Sequence, residues 1–339
     1  VSEDKEDKLE EGWKSFEDGA FENAKAVAER QLREDPEDPE AMLLLAASHR
    51  GLGAFDEAMK ILETASDIAG DWSAPELWLA EILAQDLDRP VDALVHATEA
   101  LDRADEDDDF IDAILLKASL EIQLGKAKAA RKTLAELPPL EEVELPTETS
   151  LDLAYLLLEA ESVEDAEERF RAIAQADEKN EEAWYGIGLC AEASDDEKAK
   201  REAWLRVLAL DTAKPLHEAH MSEQEMAEVA EQALKELPER ARRLIENVPI
   251  LIVDLPAREE VEQGLDPRLL GLFAGSAYSE ASVMGGPPQL TQILLFRKNL
   301  ERMAIDADDL REQIRITLLH ETGHFFGMSE DDLASVGLD

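Results

Sequence analysis

The chain has 339 residues, 45% of them hydrophobic and 34% charged, with 80 acidic against 34 basic side chains and a formal charge of -46. That apolar share supports folded structure and the length exceeds one ordinary core, so two domains are expected and a wholly disordered chain is excluded. Clustered cations for a phosphate backbone and an apolar run of membrane-spanning length are both missing, so neither nucleic acid nor membrane is an expected partner.

The first residues, Val1 to Lys8, are polar and do not read as a signal peptide, and the lone Cys190 reads as a small core residue. Together they favour a cytoplasmic location. Phe21-x-x-Ala24 then recurs as Phe55-x-x-Ala58, 34 residues later, with Gly12 and Pro36 at matching punctuation points. Weaker copies follow at Ala93, at Gly125 and Ala130, at Val163 and Ala166, and at Trp184 and Gly188, giving five or six units. The spacing stretches around Asp105 to Asp109 and from Pro138-Pro139 to Pro146, which read as elongated turns. Trp13, Trp72, Trp78, Trp184 and Trp204 are expected to fill the space between helices.

From about Asp4 to Thr212 this pattern resembles tetratricopeptide repeats. The resemblance implies an all-α helical solenoid of antiparallel pairs, with a groove that takes a protein or peptide partner. The acidity reads either as a solvated surface or as attraction for a basic client. Asp211-Thr212-Ala213-Lys214-Pro215 looks like the end of the last repeat, which divides the chain into residues 1–213 and 214–339. His217 and His220 read as part of a linker or capping segment, and His49 and His96 as packing or surface residues.

The second region begins with a predicted helix from Met221 through Leu234. A β-forming run covers Pro249 to Leu255, and a loop is expected over Leu270 to Gly275. A second strand spans Gln289 to Phe296. A final helix opens near Asp306, which can cap it, with Asp308 and Asp309 in its first turn. Leu310, Ile314, Leu318 and Phe325 recur at helical spacing and predict its buried stripe, with His320 and His324 at the margin beside Gln313 and Thr317. Gly327 offers the stop.

That last helix carries His320-Glu321-Thr322-Gly323-His324. Four positions separate the imidazoles, so both leave one face and can share one metal ion, and the glutamate between them is the expected general base of a zinc hydrolase. A third ligand must come from the short tail. Glu330 is the first choice, six residues after His324 and three after Gly327, and Asp331 the second. Met328 is too near the histidines to serve as a separate methionine turn.

From about Met221 onward the chain resembles a small bacterial family, the minimal zincin-like metallopeptidases. The resemblance rests on the helix, strand and loop order above and on the terminal run from His320 to Leu333. It implies a small α+β zincin-like fold that binds Zn2+ through His320, His324 and a tail carboxylate and hydrolyses a peptide substrate. By the same resemblance Leu290 to Phe296 is the edge strand that aligns the substrate, and Tyr278 is left outside the catalytic set. A non-catalytic repeat adaptor with a structural or degenerate zinc site is the alternative reading.

Overall fold

The computed structural model describes residues 3–104, 108–137, 145–216, 219–237, 239, 242–243, 248–274 and 292–326. The chain divides into two compact units, residues 1–169 and 170–339. In the repeat region six helical pairs follow one another. They are α1 (Glu3–Glu17) with α2 (Phe21–Glu34), α3 (Pro39–Gly51) with α4 (Phe55–Ile68), and α5 (Ala74–Glu81) with α6 (Pro90–Arg103). Next come α7 (Asp108–Gln123) with α8 (Ala127–Leu134), α9 (Thr147–Glu159) with α10 (Val163–Ala176), and α11 (Glu181–Ala193) with α12 (Glu197–Ala213). A π-helical turn, Ile82–Asp86, extends α5.

Each pair reverses through one residue in the left-handed region: Gly19, Gly53, Asp88, Gly125, Glu161 and Asp195, with φ between 50° and 75°. These positions make the repeat visible in the backbone, and only three of the six are occupied by glycine, the residue that adopts this conformation without a Cβ penalty. Small residues line the second helices: Ala24, Ala28, Ala58, Ala93, Ala97, Ala130 and Ala166 are fully buried, which permits close helix crossing. The widest intervals between reversals contain the acidic run and the proline-rich stretch, where α6 gives way to α7 and α8 to α9. Arg50 ties one repeat to the next, pairing with Glu81 at 2.6 Å and Asp86 at 2.7 Å. Trp204 is almost fully buried, and Trp13 packs edge-on against Phe16 at 5.7 Å, as core tryptophans should.

Beyond α12, the second unit contains α13 (Glu223–Glu236), β1 (Ile250–Val253), α14 (Arg258–Glu262), β2 (Gly271–Ala274), β3 (Gln292–Phe296), α15 (Arg297–Met303) and α16 (Ala307–Phe325). Ser222 and Glu225 close a capping box at the start of α13. The sheet order is β1-β3-β2, with β1 parallel and β2 antiparallel to β3. Two expectations are corrected. The segment read as a loop contains strand β2, and β3 is flanked on both sides, so it cannot be the edge that aligns a substrate.

The α13 and α16 helices share a core with the sheet that includes Met226, Ala230, Ile293, Leu295, Leu310, Ile314 and Leu318. Of the predicted α16 stripe, Leu310, Ile314 and Leu318 are fully buried, which stabilises by about 1.5–3 kcal/mol per side chain, and the Phe325 side chain lies outside the described residues. The α11–α12 pair packs against this region too. Val261 of α14 joins Trp204 and Leu208 in one cluster, Tyr185 donates to Asp266 at 2.8 Å, and Arg268 donates to Glu182 at 2.7 Å. Lys298 donates to the main-chain oxygens of Asp211 and Lys214 at 3.0 and 2.6 Å. Among the described residues no helix is long and apolar enough to cross a membrane.

Candidate active site

The α16 helix positions the motif. Asp306 Oδ1 accepts the main-chain N–H groups of Asp308 and Asp309, both at 2.9 Å, and so caps the first turn as expected. Those N–H groups, Asp309's first, hold the Asp306 carboxyl below its ordinary range. The buried Leu310, Ile314 and Leu318 then fix the rotation of the helix on the sheet. His320 and Glu321 follow in its last two turns, with His320 half-buried and Glu321 8% exposed. Thr322 donates its hydroxyl to the Leu318 carbonyl at 2.8 Å, satisfying a buried polar group within the helix.

Glu321 has a partner that sequence reasoning did not supply. Its Oε2 accepts the main-chain N–H of Phe273, in β2, at 2.7 Å. The direction of that N–H follows from the ladder. Phe296 donates to the Leu270 carbonyl at 2.9 Å, which makes this opposed pair the hydrogen-bonded type. Pairs alternate along an antiparallel ladder, so Gly271 and Phe273 turn their main-chain groups away from β3. The Glu321 carboxylate therefore sits against the outer edge of β2. The overlooked signal was the run Leu269-Leu270-Gly271-Leu272-Phe273-Ala274, apolar apart from one glycine.

The donor chemistry suits zinc, with two imidazoles one helical turn apart and a buried carboxylate between them. Among the described residues no three His, Cys, Asp or Glu side chains form a group able to hold a metal. The His324 side chain and the whole of Glu330, Asp331 and Gly327 lie outside the described residues, as does Tyr278. His217 lies outside them too, while the main-chain N–H of His220 donates to Glu301 at 2.9 Å. His96 lies 2.7 Å from the buried Glu76 in the repeat region, a pairing absent from the sequence reading.

Comparison with known proteins agrees with both regions. Residues 245–338 match the profile of a family described as zincin-like metallopeptidase, and residues 15–85 match that of a tetratricopeptide repeat. The chain thus carries an N-terminal tetratricopeptide repeat array followed by a zincin-like region. Similar solved structures include YrrB, described as a TPR protein with an unusual peptide-binding site, at 15% identity over 55% of this chain and 93% of that one, TM-score 0.46. PilW, a type IV pilus biogenesis factor, aligns at 20% identity over 62% of this chain and 94% of that one, TM-score 0.47. Pseudomonas aeruginosa PilF aligns at 16% identity over 63% and 94%, TM-score 0.48. No curated protein matches the chain.

Proposed function

We propose that the chain is a zinc-dependent peptidase whose repeat region, residues 1–213, recruits the protein or peptide that the remainder cleaves. The observation that carries this reading is the Glu321 carboxylate, buried one residue beyond His320 and held at a strand edge by the Phe273 N–H. A purely structural metal site has no need of an oriented base in that place. His320 and His324 would hold the metal with Glu330 or Asp331, and when bound it supplies the Lewis acidity that makes water nucleophilic near neutral pH and polarises a scissile carbonyl.

Glu321 would take the proton from the attacking water and return it to the departing amine nitrogen. Among the described residues β2 ends the sheet, and an extended peptide would have a main-chain template there in the Gly271 groups and the Phe273 carbonyl that face away from β3, the Phe273 N–H being engaged by Glu321. Repeat arrays of this kind bind protein or peptide partners, and the -46 charge favours a basic client.

Metal analysis of the purified protein, paired with cleavage of a peptide library, tests the proposal. One zinc per chain with cleavage supports it. One zinc per chain with no cleavage under any condition would instead identify a repeat adaptor carrying a structural zinc site.

A further inference from the structure

We propose that strand β2 positions the Glu321 carboxylate: the Phe273 N–H fixes it, and the missing side chain of Gly271 allows α16 close enough for that bond. The inference deepens the peptidase reading and rests on it for the role of Glu321. The Glu321–Phe273 bond and the close approach at Gly271 do not depend on that role.

The 2.7 Å separation is short for an N–H to oxygen bond, as expected when the acceptor is a carboxylate. The bond takes one of the roughly four acceptor positions a carboxylate offers, and it orients the group. A glutamate has three side-chain torsions. One main-chain donor on a paired strand, set in the sheet by Leu272 and Leu294, removes most of that freedom.

Gly271 stands two residues before Phe273, and its successive-alternate position puts it on the same face of β2. A Cβ there would fall 2.6 Å from Thr317 Cγ2, 3.2 Å from Glu321 Cγ and 3.3 Å from the Leu294 main-chain oxygen. None of these neighbours yields easily. Thr317 is buried and β-branched, hence stiff at χ1 in a helix, and the Leu294 oxygen belongs to the central strand. Thr317 and Glu321 are four residues apart and share one face of α16. Relief must therefore come from lifting that face away from β2, which lengthens the Glu321–Phe273 bond directly. The missing side chain of Gly271 thus has a positioning role that acts through Glu321, separate from what its main chain offers a peptide.

The test uses the full chain carrying Gly271→Ala, Thr317→Ser, both together, or Glu321→Ala. Three quantities are read: exchange of the Phe273 amide in metal-free protein, bound zinc, and kcat and KM on a cleavable peptide. Glu321→Ala should speed Phe273 exchange at least tenfold. Gly271→Ala should do the same and lower kcat at least tenfold, with KM within twofold of wild type and zinc content unchanged. Adding Thr317→Ser removes the Cγ2 that the new methyl meets, so the double variant should recover most of both losses.

Equal Phe273 exchange in wild type and Glu321→Ala overturns the bond. Faster exchange in Gly271→Ala with unchanged kcat overturns the positioning role, as does failure of Thr317→Ser to restore a folded Gly271→Ala protein. Absence of hydrolysis in the wild-type chain counts against the peptidase reading alone, and the exchange rates then decide this one.

Discussion

Asp211 of α12, 1% exposed, places its carboxylate 2.7 Å from a guanidinium nitrogen of Arg302 in α15, and Arg268 approaches the same carboxylate at 3.7 Å. Burying a charged group is costly unless an opposite charge lies beside it. Truncating one partner of a buried pair typically costs about 3–5 kcal/mol, and the part-exposed Arg302 belongs at the lower end. Arg302→Ala should therefore lower the urea midpoint of residues 170–339, followed by amide exchange across that unit, while residues 1–169 unfold as before. An unchanged midpoint would show that Asp211 does not depend on this pairing.

Glu321 and His320 are neighbours with separable roles. Glu321→Gln keeps an oxygen that can accept the Phe273 N–H and leaves both imidazoles in place, but it removes the proposed base. Zinc content should stay at wild-type level while kcat falls by roughly 10²–10⁴-fold. His320→Ala removes a proposed metal donor and should release zinc on dialysis. Hydrolysis retained by purified Glu321→Gln would assign the proton transfer elsewhere.

In the repeat region Glu76 accepts from Ser66 at 2.5 Å and lies 2.7 Å from His96, with Arg103 at 3.3 Å. Burial opposes the Glu76 charge, yet hydrogen bonds from His96 and Ser66 outweigh it and hold the carboxyl below its ordinary 4.5. The hydrogen bond to Glu76 outweighs burial at His96 and raises its pKa above 6.5. A raised histidine contributes stability that is full below 6.5 and lost as pH climbs through its folded value. A depressed carboxylate contributes stability present above 4.5 and lost as pH falls through its folded value. Both contributions are complete between those limits. His96→Gln should lower the thermal midpoint of residues 1–169 by a few degrees at pH 6 and leave it nearly unchanged at pH 9, as followed by circular dichroism.

Much of this architecture is legible in the sequence. The α16 register followed from Leu310, Ile314 and Leu318 because one apolar stripe at helical spacing has only one face to bury. The repeats followed from the 34-residue recurrence of Phe and Ala. Strand order did not, because composition describes a strand while its neighbours decide its place in a sheet. Still, Ile293 to Phe296 are all buried, and such an uninterrupted apolar run marks a strand covered on both faces. The four-residue β2 was hidden by the glycine that lets α16 approach it. Glu76 and His96 are 20 residues apart, and only the packing of α5 on α6 brings them together.

The left-handed reversals offer a stability test in which conformation, rather than space, decides. Glu161 holds φ at 59°, and its side chain reaches only a largely exposed pairing with Arg131 at 3.3 Å, which contributes little. Arg131 also donates to the main-chain oxygen of Ala160 at 2.7 Å, a bond that survives substitution. A left-handed residue with a Cβ costs about 1–2 kcal/mol, and glycine's greater freedom in the unfolded chain offsets part of the gain from removing it. Glu161→Gly should stabilise by about 0.5–1 kcal/mol. Gly53→Ala should destabilise by about 1 kcal/mol although nothing lies within 4 Å of the new methyl. Denaturant midpoints moving the opposite way in either variant would show that these turns are governed by something other than φ.

Truncation tests where the zincin-like region begins as a folding unit. A fragment beginning at Pro215 follows the proposed division at 213, yet it strips Trp204 and Leu208 from Val261, Tyr185 from Asp266, and Asp211 from Arg302. It also removes the main-chain oxygen of Asp211 that Lys298 bonds. A fragment beginning at Ser162 keeps α10 whole and retains the α11–α12 pair with all of these contacts. Circular dichroism and proteolysis should find the longer fragment folded and the shorter one open. Short-peptide cleavage should accompany only the longer fragment, whereas cleavage of a protein client recruited by the repeats should require the full chain. Equal folding and equal peptide cleavage by both fragments would show that the last helical pair serves recruitment alone.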